Sequence, residues 1–147
     1  MKIAGGADHG GFSGKEKIVL HLRRLGYRVV DVGTTSPDSV DYPDYARLVA
    51  EQVAGKKCRR GVLLCGTGIG MAIAANKVHG IRAAVVWNPA VARLAAEHND
   101  ANVLCLSGRF FDDRQRIAML DAWLSTPFAG GRHARRIRKI RAMEKSC

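Results

Sequence analysis

The stretch Arg60–Lys77, "RGVLLCGTGIGMAIAANK", decides the architecture. It opens with a continuous apolar run from Val62 to Cys65. Such a run suits a strand covered on both faces, as in a parallel sheet between helix layers. Three glycines, Gly66, Gly68 and Gly70, then punctuate the chain, and "IGMAIAANK" (69–77) starts a helix. Strand, glycine turn and helix together form the unit of an α/β fold. The stretch also raises a chemical question. A thiol, Cys65, closes the strand, and bare backbone follows it at once.

The same alternation runs outward in both directions. On the N-terminal side, "KIAGGA" (2–7) reads as a short buried strand. "GFSGKEKIVLHLRRLG" (11–26) is a helix with Ile18, Leu22 and Leu25 on one face and Gly26 as its stop. "YRVVDVG" (27–33) is a second strand, "TTSPDSVDYP" (34–43) a loop, and "DYARLVAEQVAG" (44–55) a helix with Ala46, Val49 and Val53 inward. On the C-terminal side, "IRAAVVW" (81–87) and "NVLCLSG" (102–108) are strands flanking the helix "PAVARLAAEHN" (89–99). Two more helices follow, "DDRQRIAMLDAWLS" (112–125) and the basic "GGRHARRIRKIRAME" (130–144). The expected fold is α/β: an open five-stranded parallel sheet, doubly wound with helices on both faces, plus a basic C-terminal helix. Residues 1–147 form one domain. Ligands in such sheets bind beyond the carboxyl ends of the strands. Here those ends read "ADHGG", "DVG", "CGTGIG", "WNP" and "SGR".

Composition narrows the class. At 147 residues and 47% hydrophobic, the chain can bury one core. No apolar run reaches membrane-spanning length, and "MKIAGGADHG" reads as a strand rather than a cleavable signal. A cytoplasmic location and no membrane partner are expected. The four cysteines, Cys58, Cys65, Cys105 and Cys147, lack metal-type spacing, and Cys65 and Cys105 fall in strands as reduced thiols would. The net charge is +11, with seven positive residues and one acid between Arg132 and Lys145. Removing that segment leaves +5, so the basicity is concentrated at the C-terminus. Such a tail can attract nucleic acid or an anionic metabolite.

Each candidate site residue has a bland alternative. The glycines of "CGTGIGM" allow backbone amides to face an anion, and a helix start beside Cys65 favours the nucleophilic thiolate. The alternatives are a small core cysteine and a dinucleotide loop, but GxGxG is not the GxGxxG of the latter. Asp8 and His9 end the first strand as a polar pair, or simply as a helix cap and a loop histidine. Asp31 stands where a ribose-binding acid would fall, yet "GGADHGG" puts a charge and a ring where pyrophosphate needs backbone. His98 precedes the fifth strand as an acid–base group, or as a partner of a helix end. Arg132 and Arg136 share a helical face suited to phosphate, with Ile137 and Ile140 docking the helix. The alternative is a solvated basic face. Nucleic acid is the weaker reading, because no aromatic residue follows Phe128.

Together, "GADHGGF", "DVGT", "DYPDYA", "LLCGTGIGMAIAANKVHGIRAA", "EHNDANVL" and "GGRHARRI" resemble the type B ribose-5-phosphate isomerases and the related galactose- and allose-6-phosphate isomerases. The resemblance spans nearly the whole chain. It implies a Rossmann-like fold without nucleotide cofactor or metal, a role in pentose phosphate metabolism, and a homodimer or homotetramer whose sites are shared between subunits. It implies an aldose–ketose interconversion of a phosphorylated sugar, first of all ribose 5-phosphate to ribulose 5-phosphate, through a cis-enediolate. A six-carbon phosphosugar, allose or galactose 6-phosphate, is the alternative; a nucleotide- or nucleic-acid-binding module is a more distant one. By the same resemblance Cys65 is the base between C1 and C2, and Thr67 shuttles the proton between O1 and O2. The amides of Gly66, Gly68 and Gly70 hold the enediolate charge. His98 with Asp8 opens the furanose ring. His9, Arg132 and Arg136 bind phosphate, some from the partner subunit, and Tyr42 and Asn99 meet sugar hydroxyls. Members with serine in place of the cysteine use a nearby glutamate; here "IGMAIAAN" has no acid, which supports the thiol branch. The surplus charge of the tail exceeds what phosphate binding requires.

Overall fold

A computed structural model describes residues 1–146; Cys147 lies outside the described residues. Five strands, β1 (Lys2–Ala7), β2 (Arg28–Asp31), β3 (Arg60–Cys65), β4 (Ala83–Val85) and β5 (Val103–Ser107), form one all-parallel sheet in the order β2-β1-β3-β5-β4. Six helices accompany them: α1 (Phe12–Arg24), α2 (Tyr42–Ala54), α3 (Ile69–Ala75), α4 (Pro89–Glu97), α5 (Asp113–Ser125) and α6 (Arg132–Glu144). The expected α/β class and element order are borne out.

Successive side chains of β3 point to opposite faces, and both faces are covered. Val62 and Leu64 pack with Leu22 of α1, Ala95 of α4 and Leu120 and Trp123 of α5. Leu63 and Cys65 pack with Val49 of α2 and Met71 of α3. This explains the absence of alternation in "VLLC". Each buried aliphatic side chain there stabilises the fold by about 1.5–3 kcal/mol.

Local physics adjusts several boundaries. α2 begins at Tyr42, two residues before the expected start, because Asp41 is extended and Pro43 fits a helix's first turn. β4 is shorter than expected. It has β5 alone as its neighbour, and the Arg82 amide before it donates to the Asn102 side chain rather than extending the ladder. Ile18 and Leu22 are buried as expected, but Leu25 is 52% exposed because α1 ends before it can turn that residue inward. In α6, Ile137 docks, whereas Ile140 is 41% exposed. His133 and Ile137 are the buried residues of that helix.

The strand order creates the crevice. β1 has β2 on one side and β3 on the other, so the turns that follow β1 and β3 diverge at a topological switch point. Gly11 lets the β1–α1 turn lie against β3: a Cβ there would sit 2.4 Å from the Leu64 carbonyl oxygen.

Candidate active site

The carboxyl edge of the sheet gathers most of the expected residues. Cys65 ends β3 and is 6% exposed. Its Sγ accepts a hydrogen bond from the Gly68 amide at 3.1 Å. That contact requires a tight turn, and Gly68 supplies it at φ 82, a left-handed conformation that favours glycine. Thr67 Oγ1 accepts from the Ile69 amide at 3.2 Å, which fixes the hydroxyl oxygen beside the same turn. The Tyr42 ring lies over Gly70, so close that a side chain at Gly70 would strike it. Cys105, in the neighbouring strand, contrasts with Cys65. Burial, with a smaller contribution from Cys65, holds its thiol far above the usual range, so it is a neutral core group. The three described cysteines are free thiols.

The β1 turn supplies two more groups. Asp8 is buried, and its Oδ1 accepts from the amides of Gly10 and Gly11 at 2.9 and 3.1 Å. One carboxylate oxygen therefore closes the turn, but it does not cap α1, whose N-cap is Gly11 without a side-chain hydrogen bond. His9 is exposed, and its Nδ1 accepts from the Val40 amide at 3.1 Å. A backbone amide can only donate, so in the neutral ring the proton sits on Nε2, free to donate to an anion.

Asp31 has another task. Its carboxylate is bound by Lys15 Nζ at 2.8 and 2.9 Å, and Lys15 is 3% exposed. The acid that the nucleotide reading relied upon is occupied by the protein's own lysine.

His98 and Asn99 lie elsewhere. They follow α4 and precede β5, at the amino edge of the sheet. Cys65 pairs with Ser107 at the far end of β5, whereas Gly61 pairs with Val103 at its start. The four residue steps from Val103 to Ser107 alone separate the two edges by about 13 Å. Arg132 and Arg136 are exposed at the start of α6, on the His98 side. One chain thus brings together Asp8, His9, Tyr42, Cys65, Gly66, Thr67, Gly68 and Gly70, and separately His98, Asn99, Arg132 and Arg136.

Two residues escape the sequence reading. Arg109 follows β5, its amide donates to the Gly66 carbonyl at 3.1 Å, and its guanidinium hangs 3.6 Å from where a Gly66 Cβ would stand. A positive charge thus overlooks the glycine turn. The strand end "SGR" contains the signal, but only the fold shows which turn it meets. Buried Arg116 braces that segment through the carbonyls of Ser107, Gly108 and Phe111 and the Asp113 carboxylate. The second is His133, whose ring stacks on His98 with centroids 4.1 Å apart and 11° between planes. Burial first, then the charges of His98, Arg132 and Arg136, push its pKa below the usual histidine value, against an opposing pull from Glu97. A neutral His133 therefore props the His98 ring.

With this geometry in view, the comparisons define the class. Residues 3–140 match the family model described as Ribose/Galactose Isomerase. The chain is 47% identical to Escherichia coli (strain K12) ribose-5-phosphate isomerase B, covering 98% of this chain and 97% of that one. The fold matches the Clostridium thermocellum ribose-5-phosphate isomerase B structure with a TM-score of 0.98 at 50% identity, covering 99% of both chains. It matches the Mycoplasma genitalium enzyme with bound ribulose-5-phosphate with a TM-score of 0.95 at 45% identity, over 99% of this chain and 97% of that one. The chain belongs to the ribose/galactose isomerase family. Aldose–ketose isomerisation, the enzyme class expected above, is the class of these relatives. No described helix is long and apolar enough to cross a membrane.

Proposed function

We propose that the protein interconverts ribose 5-phosphate and ribulose 5-phosphate in the cytoplasm without a nucleotide or metal, with Cys65 as the base. The observation that carries this reading is the Cys65 thiol at the switch-point edge, its Sγ held at 3.1 Å by the Gly68 amide. The thiolate takes the proton from C2 of the open-chain aldose. The released electron pair forms the C1–C2 double bond and places negative charge on O1. The same sulfur returns the proton to C1, while Thr67 Oγ1 passes the O2 proton to O1. The proton alpha to a carbonyl is weakly acidic, so the oxyanion needs donors already in place. The Gly68 amide already serves the sulfur, so the Gly66 and Gly70 amides and the Arg109 guanidinium are assigned to the enediolate.

His9, whose Nε2 is free to donate, is assigned to the phosphate. The remaining groups, His98, Asn99, Arg132 and Arg136, come from a second copy of the chain. Their position at the opposite sheet edge supports a homodimer with two shared sites, since a two-fold axis can set one copy's amino edge against the other's carboxyl edge. His98, steadied by His133, then exchanges the proton that opens the furanose ring, with the free oxygen of the other copy's Asp8 nearby. Asn99 and Tyr42 meet sugar hydroxyls. The names of the relatives and the ribulose-5-phosphate in the Mycoplasma genitalium structure support the pentose over the hexose.

The test is ketose formation from ribose 5-phosphate, with allose 6-phosphate as comparison. Cys65→Ala is expected to lower kcat by about 10²–10⁴-fold with folding intact. Unchanged turnover by that variant would overturn the thiol assignment. Faster turnover of the hexose would move the substrate to six carbons.

A further inference from the structure

The isomerisation scheme uses the first turns of α6 and leaves its basic end unexplained. Arg141 lies nine positions after Arg132, about 13 Å further along the helix axis. There it lines a cleft of about 1110 Å³ at the amino edge of the sheet. Lys56 and Arg59 from the α2–β3 turn, Arg82 from the α3–β4 turn and Lys145 after α6 complete the charged lining. The acid among the lining residues, Glu144, accepts from the Gly80 amide at 2.7 Å and keeps its negative charge, one against the five cations of the lining. Arg82 is held by the Asp100 carboxylate at 3.0 Å and by the Asn99 and Asp100 carbonyls. Lys56, Arg59, Arg141 and Lys145 have no ion-pair partner among the described residues.

The gathering is more than one helix face, because its cations, exposed except for the half-buried Arg82, come from three separate segments around one concavity. Lys56 even adopts φ 58 immediately after Gly55, a conformation rare for a residue with a side chain. Arg141 is near enough to add to the burial that lowers the Arg82 pKa. Like charges brought together in a cleft are relieved by a bound anion. The volume is of small-molecule size. Four unpaired cations exceed what one phosphate needs.

We propose that this cleft is a second anion site, distinct from the Cys65 crevice, for a compact small molecule carrying two or more phosphates. The cleft lining contains no Phe, Tyr or Trp, and His79 is its one aromatic ring; a single ring is not a stacking platform for successive bases, which favours a small polyanion over nucleic acid.

Calorimetric titration of the full-length protein with tripolyphosphate at about 0.15 M salt tests this, and it reads binding independently of turnover. The expected result is saturable binding, not displaced by ribose 5-phosphate and much tighter than for orthophosphate. Arg59→Ala/Arg141→Ala is expected to weaken it about tenfold or more, while Arg132→Ala/Arg136→Ala leaves it unchanged. Light scattering checks that each variant keeps wild-type size; if the first pair does not, Lys56→Ala/Lys145→Ala replaces it with the same expectation. Absence of saturable binding overturns the proposal. So does loss of binding in the Arg132/Arg136 pair alone, equal affinity for orthophosphate, or equally tight binding of a short DNA duplex.

Discussion

The two edges of the sheet are built by different means. At the carboxyl edge, strand ends and close-packed glycines set each functional atom. The Gly68 amide meets Cys65 Sγ, Asp8 ties two amides of its own turn, and Gly11 touches the end of β3. At the amino edge, the functional side chains stand on a helix end and on α6. That helix is anchored by two buried residues, a histidine stack and a single carboxylate on Gly80. The first edge is rigid because the backbone itself forms it. The second is a presented surface, which suits residues that act on another copy.

The largest expected effect tests whether the edges meet across two chains. Cys65→Ala and His98→Asn should each lose nearly all turnover alone. Dissociated, mixed in equal amounts and reassembled, they should recover about a quarter of wild-type activity, since half of the random dimers carry one intact site. No recovery, despite mixed dimers seen by native mass spectrometry, would place both residues in one chain's site.

Next comes the rigidity of the carboxyl edge. Gly11→Ala puts a Cβ 2.4 Å from backbone oxygen, and it should destabilise the protein by about 1–3 kcal/mol in urea unfolding. Arg136→Ala at the other edge should leave the urea midpoint where it was and raise KM. A stability loss as large at Arg136 would erase the contrast.

Lys15→Met is expected to cost about 1–3 kcal/mol. It removes the buried partner of Asp31, which is itself 31% exposed and can take up water. If the variant gained affinity for a dinucleotide, the vacated Asp31 would deserve a ligand role after all.

The smallest effect concerns the histidine stack. The His133 pKa is lowered in the fold, so the unfolded chain takes up the proton first on acidification. The stabilising contribution is complete above the ordinary histidine pKa of about 6.5. It declines as pH falls from there through the depressed folded value. Melting temperatures should therefore drop between about pH 6.5 and 5, and His133→Gln should flatten that decline. An unchanged slope in the variant would remove His133 from the prop beneath His98.

Much of this was legible in the chain. The unbroken "VLLC" run signals a strand buried on two faces, and the glycines after it signal a turn that cannot carry side chains. Local periodicity also places Ile18, Leu22, Ala46, Val49 and Val53 inward, where the structure has them. It fails at Leu25 and Ile140, because periodicity marks a face but not where the neighbouring layer ends. Asp31 misleads for a related reason. Its position after the second strand is informative, but its partner Lys15 lies 16 residues away.

By itself, then, the sequence determined the alternation of elements, the thiol-and-glycine turn, and family membership, because these reside in short-range pattern and residue identity. Only the tertiary structure decided the strand order, the separation of Cys65 from His98, the position of Arg109 above Gly66, and the joining of three basic segments around one cleft. Those depend on which distant segments the two hydrophobic layers bring side by side, and no local run of residues encodes that choice alone.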